Sequence, residues 1–261
     1  MYINIMTHLN HNFQFHQCNN LVIIWQAKAA CTIVNKMYYE EEGLLEEAEE
    51  YSNWIHDYRE KHNIETHIIR NKGLNSKSTK YIHFVVNPYR RIVSSYIHAM
   101  RTNYTNWSNI SFRHFVQLLS DDTIIYNSHH GLQLSYLHTK KQIEYIKMEN
   151  IEHDLPVINK KYGLNYSMKT SLHHAVTHEV DDKFIGDMVW NDIEKIPRKY
   201  SNFYSETIKD IVTNIFEHDI NIFGYTWDEF INNEEIVYLV WRHHNTNEFI
   251  IIGEVLHVQL V

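Results

Sequence analysis

The apolar and polar positions of this chain switch repeatedly between two patterns. Leu21-Val22-Ile23-Ile24-Trp25 is a continuous apolar run, as expected of a strand buried on both faces. After the turn Gln26-Ala27-Lys28-Ala29-Ala30-Cys31-Thr32, helical spacing begins at Ile33, Met37 and Tyr38. Leu44, Leu45, Ala48, Tyr51, Ile55 and Tyr58 follow in steps of three and four. They predict one long amphipathic helix with Glu46, Glu47, Glu49 and Glu50 on its solvated face. Residues 66–70 read as a second strand and residues 81–86 as a third, more apolar one. Pro88 then opens a helix through Ile92, Val93, Tyr96 and Met100. Ser111 is placed to cap a helix that turns Phe112, Phe115, Val116 and Leu119 inward. A strand over 142–148, a helix over 151–162 ending at Gly163 and a final helix over 205–223 closing at Gly224 complete the series. Strands alternating with helices predict an α/β fold with a mostly parallel sheet covered on both faces.

The character changes after about residue 228. Residues 236–241 and 249–252 flank a polar turn, which predicts a hairpin. The expected organisation is one domain over 1–228 with a C-terminal extension over 229–261.

Composition narrows the chemistry. A formal net charge of -8 gives no footing for general nucleic-acid binding, although a local basic patch can still hold an anion. Cys18 and Cys31 are the only cysteines, too few for a disulfide framework. No stretch of about 18 apolar residues and no signal-peptide pattern is present, so the expectation is a soluble, unanchored, cytoplasmic chain. Twenty histidines stand beside only seven glycines and three prolines, and Asn, Ile, Tyr and Lys abound. That bias fits AT-rich coding, so a histidine carries less weight here than usual. The pairs His129-His130, His173-His174 and His243-His244 are poor chelators because adjacent side chains diverge, and no metal site is expected.

The turn at 26–32 carries the most specific signal. A strand that turns tightly into a helix presents free backbone N–H groups at the positive end of the helix dipole, where anions bind. Lys28 adds a full charge, and Thr32 adds a hydroxyl at the start of the helix. Glycines do not precede the lysine and no Lys-Ser/Thr pair closes the turn, so this is not a Walker A loop. That counts against a P-loop nucleotide kinase.

Lys28-Ala29-Ala30-Cys31-Thr32 resembles the 5′-phosphosulfate loop of sulfotransferases, in the carbohydrate branch of the superfamily (Golgi-type, family 2), with Ala27 in place of the usual proline. Three further blocks follow in the family's order. Residues 84–96, Phe-Val-Val-Asn-Pro-Tyr-Arg-Arg-Ile-Val-Ser-Ser-Tyr, resemble its 3′-phosphate motif; residues 145–155 resemble its Glu-Asn-Leu-Glu-Glu-Asp-Leu block; and Tyr204-Ser205, Asp219 and Phe223-Gly224-Tyr225 resemble its closing helix. The resemblance implies a P-loop-like sulfotransferase fold with a central sheet of about five strands. It implies transfer of a sulfuryl group from PAPS (3′-phosphoadenosine 5′-phosphosulfate) to a hydroxyl of a carbohydrate, without a metal.

Carried over residue by residue, it assigns the donor to Lys28, Ala29, Ala30, Cys31 and Thr32, and to Arg90, Arg91 and Ser94. Lys28 would also meet charge on the leaving oxygen. Three places compete for the base: His67 on the second strand, His129 in a block resembling the family's His-Trp/Phe-x-Pro-Gln, and Glu40, Glu41 and Glu42 after the loop helix. One departure stands out. The family arginine two residues before the proline, which grips the 3′-phosphate, is Val86 here, with Arg90, Arg91, Arg198 and Lys199 as substitutes. That leaves a different reading open, a catalytically weak nucleotide- or glycan-binding module that keeps the fold.

Overall fold

The computed structural model describes residues 12–16, 21–52, 54–62, 79–102, 109–121, 129–134, 142–167, 183–197, 199–233, 237–242 and 249–255. Its centre is a four-stranded sheet in the order β1 (Asn12–His16), β2 (Leu21–Trp25), β3 (Lys80–Val85) and β4 (Glu144–Lys147). β2, β3 and β4 run parallel, with Ile23 opposite Ile82 and Phe84 opposite Ile146. β1 pairs antiparallel along the outer edge of β2. The parallel core matches the expected α/β class. The central sheet has four strands among the described residues where about five were expected, and the strand expected at 66–70 lies outside them.

Strand β3 shows how the pleat feeds two cores. Ile82, Phe84 and Val86 face one side, where they join Leu21, Ile23 and Trp25 of β2. There they meet α1 (Cys31–Glu41), α3 (Ile55–His62) and α6 (Ile151–Tyr162) through Ile33, Met37, Ile55, Tyr58, Ile151 and Ile158. Val85 points the opposite way, toward Leu134, Phe223 and Tyr225. A third cluster lies among α4 (Pro88–Thr102), α5 (Phe112–Ser120) and α7 (Glu206–Ile215). Phe112 meets Tyr96 and Phe203 there edge to face, Phe115 lies tilted against Tyr96, and each fully buried ring contributes about 2 kcal/mol.

Two expected helices are broken. The one predicted through 44–58 is α2 (Leu45–Tyr51) and α3, parted by Ser52 in extended conformation. The Ser52 hydroxyl donates to Asp57 Oδ2 at 2.6 Å and accepts from the Trp54 N–H at 3.1 Å, a local bond that competes with the helix. The closing helix divides at Phe216 into α7 and α8 (Glu217–Phe223), and Gly224 ends it with φ 64°. Ser111 and Ser205 cap α5 and α7 by accepting the N–H groups of His114 and Ile208. α9 (Trp227–Asn232) opens on a capping box formed by Thr226 and Glu229 and buries Phe230, so the boundary expected near 228 falls inside a packed helix. Beyond it, β5 (Val237–Arg242) and β6 (Phe249–Val255) pair antiparallel.

Candidate active site

The sheet sends two parallel strands into helices side by side, β2 into α1 and β3 into α4. The first of these turns is strained. Lys28 has φ 63° and Ala30 φ 55°, left-handed positions that cost a side chain roughly 1 kcal/mol or more each. The Ala29 N–H bonds back to Gln26 O at 3.1 Å and closes the turn. Ala29 is fully buried, while Lys28, Ala30, Cys31 and Thr32 are half-buried. The first turn of α1 has neither an acidic residue nor a side-chain cap, so its N–H groups remain available to an anion. The Thr32 hydroxyl oxygen is buried without a hydrogen-bond partner among the described residues. An orphaned polar atom of this kind at a helix N-terminus fits a ligand oxygen.

Cys31 opens α1. Burial pushes its thiol up, but the charge and hydrogen bond of His56, with the charge and backbone bond of Lys28, outweigh that and bring it down to about 6. His56, on α3, lies 6.1 Å from the Trp25 ring, and the Arg59 guanidinium stands over the same indole at 5.0 Å. The second helix layer reaches the loop through Arg91. This buried side chain donates from Nε to Ala27 O at 3.0 Å and from Nη1 to Gly131 O at 2.6 Å. Burial lowers its pKa to about 10, against the pull of Asp219 and Cys31, so it remains a cation at neutral pH.

Residues 129–134 form the third wall. The Ser95 hydroxyl donates to the His129 carbonyl, and its own oxygen lies 2.9 Å from His130 Nδ1. Asp219 accepts the N–H groups of Gln133 and Leu134 at 2.7 and 3.0 Å; burial pushes its carboxyl up to about 6, against those bonds and Arg91. Gln133 in turn brackets Val86, accepting its N–H at 2.9 Å and donating to its carbonyl at 2.7 Å. So anchored, His129 stacks on His98 of α4 with centroids 4.7 Å apart. Burial first, then the charges of Lys28, Arg91 and His56, hold His129 down to about 4. It is a neutral imidazole at pH 7, beside the lysine of the loop.

The structure therefore brings Lys28, Ala29, Ala30, Cys31, Thr32, Arg91 and His129 together. Ser94 is half-buried on the first turns of α4, one residue from Ser95. Arg90 points elsewhere, donating from Nη2 to Asn233 O at 2.6 Å beyond α9. Val86 is packed in the core beside Ile146 and Met148. Glu40, Glu41 and Glu42 lie at the far end of α1, about 15 Å along its axis from the loop. Glu41 accepts the Asn165 N–H at 2.9 Å. His67, Arg198, His173-His174 and His243-His244 lie outside the described residues. Among the described residues no cluster could hold a metal ion, and no helix is long and apolar enough to cross a membrane.

Sequence reasoning missed His98, His56, Gln133 and Ser95. For His98 and Ser95 a signal existed, because Arg91, Ser94, Ser95 and His98 recur at steps of three and four along one helix face. His56 has none; only the packing of α3 against β2 brings it to the loop.

Comparison with curated proteins and with solved structures yields no match. The sequence pattern of the sulfotransferase family matches residues 2–226, which span the phosphate loop, the paired strand–helix turns and the histidine-bearing wall. With that match covering most of its length and the motifs in family order, the chain belongs to the sulfotransferase family.

Proposed function

We propose that this sulfotransferase uses PAPS as donor and a hydroxyl of a carbohydrate as acceptor. The observation that carries the donor reading is the 26–32 turn: two left-handed non-glycine residues, an uncapped helix start, Lys28 and the orphaned Thr32 hydroxyl. Strain of this kind is kept where a ligand repays it. The N–H groups of the turn and the Thr32 hydroxyl receive the 5′-phosphosulfate, and Ser94 faces the nucleotide from the neighbouring turn. Arg91 aligns the loop by its bond to Ala27 O.

The reaction is an in-line displacement. The acceptor oxygen bonds to sulfur as the bridging S–O bond breaks, and the electron pair leaves on adenosine 3′,5′-bisphosphate. Lys28 meets the charge that builds on that leaving oxygen. The acceptor proton goes to a base. His129 is the candidate supported by position, neutral and beside Lys28; His67 is its competitor. The family supplies the expectation of a sugar acceptor.

A second reading is favoured by Val86. With an apolar core side chain where the family has an arginine, donor affinity falls by about ten- to a hundredfold, and the protein becomes a weak nucleotide- or glycan-binding module. Calorimetric titration of adenosine 3′,5′-bisphosphate separates the two. Micromolar binding that weakens about a hundredfold in Lys28→Ala supports the transferase. No binding in the wild type, with or without rescue by Val86→Arg, gives the module reading the lead.

A further inference from the structure

His98 and His129 come from different elements, yet their rings lie face to face, 4.7 Å between centroids and 15° between planes. The contact is held from behind. Ser95, one turn before His98 on α4, donates to the His129 carbonyl, and Arg91 holds the next residue but one through Gly131 O. The charged and titratable groups facing the pair are Lys28, Arg91, His56 and His130. Burial, then Lys28, His129 and His130, push His98 down to about 3, so its ring is neutral throughout the working range.

A neutral aromatic face over an imidazole does little while both rings are uncharged. Once the second ring takes a proton, the contact becomes a cation–π pair, worth most where water is excluded. Such a contact strengthens only as the reaction proceeds, which is the condition for raising turnover rather than binding. We propose that His98 is a positioning residue for sulfuryl transfer: its ring face orients His129 and stabilises the imidazolium formed when His129 takes the proton of the acceptor hydroxyl. The inference rests on His129 being the base. In that step the O–H pair becomes the new O–S bond, the bridging S–O pair departs with the nucleotide, and the proton stays on His129. An anionic donor on the loop offsets Lys28, easing protonation of His129 as the reaction requires.

The variants His98→Leu and His98→Phe separate the ring face from mere burial, since both are bulky and apolar and only Phe keeps a π system. With labelled PAPS and desulfated chondroitin and heparan chains as acceptors, His129→Asn loses about a hundredfold or more in kcat. His98→Leu loses about five- to tenfold in kcat with donor KM unchanged, and His98→Phe recovers most of it. NMR titration of the His129 ring, with adenosine 3′,5′-bisphosphate bound, gives a readout independent of turnover. Its midpoint falls by about 0.5–1 pH unit in His98→Leu and not in His98→Phe. Equal midpoints in the two variants overturn the proposal, as does equal turnover, even where His129→Asn is inactive. Full activity in His129→Asn removes the base reading itself and the role of His98 with it.

Discussion

The turns β2–α1 and β3–α4 are neighbours built on one plan, and they are finished in opposite ways. In the second, Asn87 accepts the Tyr89 N–H at 3.0 Å as a helix cap and donates its own N–H to Glu149 at 2.6 Å. Gln133 takes up both backbone groups of Val86. Every one of these groups is satisfied by the chain itself. The first turn holds two left-handed residues and leaves the Thr32 hydroxyl without a hydrogen-bond partner among the described residues. One turn is an internal joint; the other is held under strain with an uncapped helix start, and on our proposal it cradles the donor. Arg91 joins them, rising from the helix of the satisfied turn to the carbonyl of the strained one.

That link is the place to break the contrast. Arg91→Ala removes the bonds to the Ala27 and Gly131 carbonyls and a cation that acts on buried Asp219. We expect a loss of about 3 kcal/mol in denaturant unfolding and loss of donor binding together. Retained donor affinity would mean that the loop holds its shape without the arginine.

Acid should attack the same side of the molecule. His98, His129 and His130 are held down to about 3, 4 and 3, chiefly by burial, against an unfolded value of 6.5. Below 6.5 the unfolded chain therefore binds more protons, and stability falls as pH drops from about 6.5 toward 4. Asp219 runs the other way: its folded value of about 6 lies above the ordinary 3.8, so within that window the native state is the one that binds its proton. Three histidines against one carboxyl leave a net uptake of about two protons on unfolding, measurable as the slope of unfolding free energy against pH. A flat profile would show that these rings are charged in the native state.

Smaller effects sharpen the comparison. Thr32→Val removes an orphaned hydroxyl, so the ligand-free protein should keep or slightly gain stability while affinity for adenosine 3′,5′-bisphosphate drops about tenfold. Asn87→Ala should do the reverse, costing about 1 kcal/mol through the lost cap with little change in donor affinity. If both variants changed stability and affinity alike, the division between cradle and joint would fail.

Much of the fold was legible along the chain. The runs at 21–25 and 81–86, the Ser111 cap and Gly163 mark elements that lie where the pattern placed them. The breaks at Ser52–Trp54 and Phe216 were not, because hydrophobic spacing continues across both and only side-chain bonds or packing interrupt the helix. At the site, the strand–Lys–Thr–helix order picked out the turn that proves strained, and the block around His129 picked out a segment that packs near it. The roles of Arg90 and Arg91 were not separable in sequence. They are adjacent, so their side chains leave α4 in different directions, one to Asn233 and one to Ala27.

The sequence by itself determined the family, the parallel α/β order of elements and the composition of the phosphate loop, since each depends on residues close together in the chain. Only the tertiary structure decided which histidines stand over that loop and how they are charged. His56, His98 and His129 lie on three separate elements, and their protonation is set by shared burial and the charges of Lys28 and Arg91. Those distances exist only after the sheet and its helices have packed.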